Sequence, residues 1–177
     1  MNKHWPLAFG VLGVIFGITI ATAMSLKDNQ PETEAIHYHA GFQVYVDNEL
    51  QDFADLKYMK QDPCGDKHEV TASLAEEQLE KAHLHDVIGD VVHVHREQAT
   101  WEDLFQNMEY DLPDEALIVY VDGALAEGDA LKQEIRPDER VIFFFGTNTD
   151  IEDKLADGVT LDRIHEIEQR SEDCGRQ

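Results

Sequence analysis

Between Lys81 and Arg96 the chain reads Lys-Ala-His-Leu-His-Asp-Val-Ile-Gly-Asp-Val-Val-His-Val-His-Arg. Its four histidines form two His-x-His pairs, His83/His85 and His93/His95, on either side of Gly89-Asp90. A third pair, His37/His39, heads another apolar run. The chain has 177 residues and nine histidines, a composition that by chance supplies under about half of one such pair. The spacing restricts the backbone. In a β-strand residues i and i+2 point the same way with Cα atoms roughly 6.8 Å apart, so two imidazoles reach one ion; on a helix they diverge by about 200°. Val91, Val92 and Val94, with Leu84, Val87 and Ile88 on the other arm, favour strands.

Whether the four hairpin histidines share a face is a question of parity. Paired residue numbers with an even sum project His83, His85, His93 and His95 together, and an odd sum splits them two and two. A two-residue Gly89-Asp90 turn gives an odd sum. A three-residue loop Val87-Ile88-Gly89, with Gly89 left-handed in a G1 bulge, gives an even sum and sets His83 opposite His93. Glycine at the third position favours the bulged loop.

Upstream, Trp5 to Met24 is an uncharged apolar stretch of about 20 residues, long enough for a helix across a bilayer. Lys3 precedes it and Asp28, Glu32 and Glu34 follow, which orients the N-terminus inward and the remainder outward. Ala21-Thr22-Ala23 also fits a processing site, the reading in which 1–24 is a signal peptide cleaved after Ala23 and the protein is secreted. Residues 25–35 read as a polar linker, 36–146 as one α+β domain and 147–177 as an acidic helical tail. The formal charge of −23, from 37 acidic and 14 basic residues, excludes nucleic acid and anionic membrane surface as partners and attracts cations.

Ile36–Val46 reads as a strand turned by Asp47-Asn48 into Glu49–Phe53. Residues 55–71, with Pro63-Cys64-Gly65, read as a loop, and Ser73–Ala82 as a short helix with a capping box. After the hairpin, Thr100 caps a helix whose Trp101, Leu104, Phe105 and Met108 fall on a core-facing stripe. A strand over 116–121 ends in an Asp122-Gly123 hairpin turn, and Val141–Phe145 is a fully apolar strand. Val44–Leu50 echoes Val119–Leu125, as two similar turns would. Further helices start near Thr149 and Thr160, the second with a Leu161, Ile164, Ile167 stripe.

From Val91 to Gly146 the order of strand, Thr-Trp-Glu-Asp-Leu-Phe helix, Val-Asp-Gly strand and Val-Ile-Phe-Phe-Phe-Gly strand resembles a β-grasp, ubiquitin-like half-domain. Sulfur carriers of that class act through a terminal Gly-Gly, whereas this chain ends Cys-Gly-Arg-Gln. The wider pattern His-x-His, His-Leu-His-Asp, His-Val-His over Ile36 to Gly146 resembles small exported or membrane-anchored His-rich bacterial and archaeal proteins, mostly uncharacterised. That resemblance implies an extracytoplasmic His-rich domain and no particular reaction.

Neutral imidazoles bind copper or zinc, so His37, His39, His83, His85, His93 and His95 are the candidate metal ligands, with Asp86 and Asp90 placed to hold ring N–H groups. Six histidines exceed one tetrahedral shell, which leaves either three or four ligands with supporting neighbours or two ions. Ordinary half-exposed polar residues and a pH-responsive surface are the rival readings of the cluster. His68 is an outlying ligand candidate, and His4 and His165 read as incidental. Cys64 and Cys174 suit a disulfide in an oxidising compartment, or Cys64 joins His68 as a ligand. The expected function is a membrane-anchored copper or zinc chaperone, buffer or sensor. The alternatives are a hydrolytic metalloenzyme with Asp86 or Glu97 as proton acceptor, and a protein-interaction module without metal. No phosphate loop, dinucleotide fingerprint or Ser/His/Asp order is present.

Overall fold

The computed structural model describes residues 36–59 and 74–171, except the side chains of 74–76 and 171. The chain divides between Glu34 and Ala35 into two units, and every described residue belongs to the second. The N-terminal anchor or signal peptide, the linker, His4, Cys64, His68 and Cys174 lie outside the described residues. Among those residues no helix is long and apolar enough to cross a membrane.

The second unit is an α+β structure built on one mixed sheet of seven strands: β1 (Tyr38–Val46), β2 (Glu49–Leu50), β3 (Ala82–His83), β4 (Val91–Val94), β5 (Leu117–Val121), β6 (Ala124–Leu125) and β7 (Arg140–Phe145). Its order is β3-β4-β1-β7-β5-β6. β1 runs parallel to β7, and every other pairing is antiparallel. β4 pairs with Tyr38–Gly41 and β2 with Tyr45–Val46, both along the edge of β1 away from β7. The sheet is therefore centred on β1. Residues 36–90 hold a central strand that the later strands need as a neighbour.

Side-chain alternation gives the sheet two unlike faces. On the first, Ala40, Phe42, Val44, Val92, Val94, Val141, Phe143 and Phe145 form the main core. Against them packs α2 (Trp101–Asn107), with Trp101, Leu104, Phe105 and Met108 each 0–1% exposed. Thr100 caps this helix, and Asp103 completes a capping box with it. The nearly buried Asp103 carboxylate also accepts from Gln78 at 2.9 Å and Lys81 at 2.8 Å on α1 (Leu74–Lys81). These donors hold its pKa below the usual carboxylate value although burial alone pushes the other way.

The second face carries the odd-numbered residues of β1 and β4. Tyr45, Ile142 and Phe144 are covered by Ile151 and Leu155 of α3 (Ile151–Ala156). Val91 and Ile88 are covered by Ile164 and Ile167 of α4 (Leu161–Ser171). The two helices after β7 thus lie on the sheet, with Leu161 the one exposed member of the α4 stripe. Gly41 permits this approach, since a Cβ there would lie 2.6 Å from Val159 Cγ1. On β4, the same face continues past Val91 to His93.

Candidate metal centre

Three neighbouring strands bring the histidines together. His83 on β3 pairs with His93 on β4, which pairs with His39 on β1. His37 and His95 sit just beyond the strand ends, and His85 follows β3 by two residues. The even-sum register puts the rings on one face. His39, His83, His85 and His93 are each at most 4% exposed, His95 is half-buried and His37 exposed.

His93 is the hub. Its ring centroid lies 3.6 Å from His85, 4.0 Å from His39, 5.7 Å from His37, 5.9 Å from His83 and 6.3 Å from His95. His39 Nε2 stands 3.0 Å and 3.1 Å from the two His93 ring nitrogens. In the group His37, His39 and His93, one donor atom from each lies within 4.8 Å of the others, close enough to hold a metal ion.

The register agrees with the bulged-loop expectation, but its cause differs. Asp86 and Val87 take the left-handed conformation, φ 57° and 60°, while Gly89 does not. Residues 84–90 form a wide loop in which Ile88 N–H donates to His85 C=O (3.1 Å) and Val87 N–H to Met59 Sδ (3.1 Å). Gly89 is needed for space. A Cβ there would meet the Ala54 nitrogen and lie 2.5 Å from the Phe53 carbonyl carbon, so the loop is seated on the chain after β2.

Two ring orientations are fixed by hydrogen bonds. His85 Nδ1 donates to Asp86 Oδ2 at 2.8 Å, which leaves Nε2 as the lone-pair nitrogen. His83 Nδ1 donates to Leu79 C=O at 3.2 Å, four residues back in the last turn of α1. That carbonyl has no helical partner because the helix ends at Lys81. Asn107 Nδ2 donates to the carbonyls of Gln78 and Ala82, 2.8 Å each, and His95 N–H to that of Lys81 at 3.3 Å. Sequence reasoning missed Leu79 and Asn107; the only signal was a helix ending two residues before a histidine.

Asp90 does not support an imidazole. Its two oxygens accept from Arg163 Nε at 3.0 Å and Nη2 at 3.1 Å, tying α4 to the sheet. Glu97 is exposed. His165 pairs with Asp138 at 2.9 Å on the surface, outside the cluster.

Burial, and secondarily the positive charge neighbouring imidazoles would carry, push His39 and His83 down to about 3, and push His93 further in the same direction. These rings are neutral at pH 7, the form a metal requires. Nε2 of both His83 and His85 is buried without a hydrogen-bond partner. Lone pairs held that way in a dry cluster fit a cation better than they fit a structural role, because an unmatched buried polar atom destabilises the fold.

No family model matches this chain, and neither a curated protein nor a solved structure matches it.

Proposed function

We propose that this domain binds a transition-metal ion, copper or zinc, and serves as a chaperone, buffer or sensor at the outer face of a membrane to which the N-terminal apolar stretch anchors it. The observation that carries the reading is the convergence of His37, His39 and His93 from two paired strands, donor atoms within 4.8 Å. Neutral nitrogen donors of this kind suit divalent copper and zinc, and the exposed His37 gives an ion a way in. The surrounding charge of −23 raises the local cation concentration.

Binding is favoured over hydrolysis by where the two expected proton acceptors lie. Asp86 is committed to His85 Nδ1, and Glu97 is exposed to solvent. The sheet order β4-β1-β7-β5-β6, with β1 parallel to β7 and α2 across one face, is compatible with a β-grasp core. In that reading β1 is the first strand and residues 47–90 are inserted in its first hairpin.

The test uses the full-length chain without a histidine tag. Bound metals are quantified, then zinc and copper are titrated against wild type and His39→Ala/His93→Ala. Wild type should hold at least one equivalent and the variant should bind about 100-fold or more weakly. Equal metal content in the two proteins would remove the assignment.

A further inference from the structure

The His37, His39 and His93 set leaves two buried ring nitrogens unused. Nε2 of His83 and of His85 are without hydrogen-bond partners, on side chains 2% and 4% exposed, while each Nδ1 is already committed, to Leu79 and to Asp86. In the neutral tautomer that each of these hydrogen bonds selects, Nε2 carries the lone pair. His93, a member of the first set, stands between them and His39, 3.6 Å from His85 and 4.0 Å from His39 by ring centroids.

From these positions we infer that the cluster holds a second ion, a monovalent copper ion, on Nε2 of His83 and Nε2 of His85, on the flank of His93 opposite the first. The inference rests on the metal-binding reading above and adds the number and kind of ions.

Spacing and charge select the ion. A metal about 2.0 Å from each Nε2 lies roughly 3.2 Å from each ring centre, so tetrahedral ligands would put the centres about 5.2 Å apart and a linear pair about 6.4 Å. The three separations in the first set, 4.0, 5.0 and 5.7 Å, scatter about the tetrahedral figure. His83 and His85 stand at 5.9 Å, which opens the angle at the metal to roughly 135°. Such an angle belongs to two- or three-coordination, which filled-shell monovalent copper accepts and divalent ions with several ligands do not. Burial acts in the same direction. The cost of desolvating an ion rises with the square of its charge, so a nearly dry pocket of neutral nitrogens penalises a divalent cation about four times as heavily as a monovalent one. The first set, opened to solvent by His37, can let water complete the shell of a divalent ion.

The experiment loads full-length protein with one equivalent of zinc, then titrates monovalent copper anaerobically against bicinchoninate as competing chelator. Wild type should take one copper ion while keeping its zinc. His85→Leu should keep zinc and lose copper affinity by about 100-fold or more. X-ray absorption at the copper edge of wild type, which needs no variant, should show two or three nitrogen neighbours. Copper displacing zinc one for one, four-coordinate copper, or equal copper affinity in wild type and His85→Leu would overturn this inference and leave the first site standing. A wild type that binds neither metal would remove the metal-binding reading as well.

Discussion

His39, His83, His85 and His93 pack almost dry against one another, and this makes the fold sensitive to acid in a defined direction. His39 and His83 are depressed from the ordinary 6.5 to about 3 by burial. The unfolded chain therefore takes up protons near pH 6.5 that the folded chain refuses until about pH 3. Their contribution is complete above about pH 6.5 and is lost as pH falls towards 3, at up to about 1.4 kcal/mol per pH unit for each group. Acid also relieves repulsion among the surface carboxylates, so the comparison is internal. In metal-free protein, urea midpoints between pH 8 and 4.5 should fall more steeply for wild type than for His39→Gln/His83→Gln. Parallel profiles would mean that the folded rings protonate as freely as the unfolded ones. At this scale the ligand candidates were legible because spacing alone sets them apart. The partners were less so. Asp86 adjoins His85 in sequence, whereas Asp90 was drawn away by Arg163, 73 residues distant.

The two hairpins that echo each other fasten opposite ends of β7. Asp47 and Asn48 both have positive φ, 48° and 74°, as do Asp122 and Gly123, 49° and 80°. Such turns match the twist of their strands. Asp47 Oδ1 accepts from Thr147 N–H at 2.8 Å just past β7, and Asp122 Oδ1 from Arg140 N–H at 3.3 Å and Nε at 3.1 Å at its start. These turns, and α2 with its Thr100 cap, follow from local residue choice and were readable. The docking of α4 was not, since a thin apolar stripe does not name its partner. Ile164 and Ile167 are fully buried, whereas the Arg163–Asp90 pair is about a third exposed. Ile164→Ala should lower unfolding free energy by about 2–4 kcal/mol and Arg163→Ala by about 1 kcal/mol or less, measured by urea denaturation. The reverse order would mean that the ion pair, and not the apolar contact, holds the helix.

For the whole molecule, a site assembled from β1 and β4, strands more than 40 residues apart in sequence, exists only in the folded chain, so metal binding must appear as stability. At a free metal concentration 100 times the dissociation constant the gain is about 2.7 kcal/mol, or roughly 8 °C in Tm for a unit of this size. Thermal unfolding followed by tryptophan fluorescence should show that rise with zinc, and EDTA should abolish it. An unchanged Tm would place any binding on the unfolded chain equally. The sequence by itself determined a strand through one histidine of each His-x-His pair, the helix that Thr100 caps and the two-residue turns, because alternation, capping and turn geometry are properties of a few adjacent residues. Tertiary structure alone decided that β1 lies between β4 and β7 and that His83, His93 and His39 form one row. Strand neighbours are chosen by burying whole faces, and the face of the hairpin was settled where Gly89 seats its loop on Phe53 and Ala54, a contact between residues some 35 positions apart.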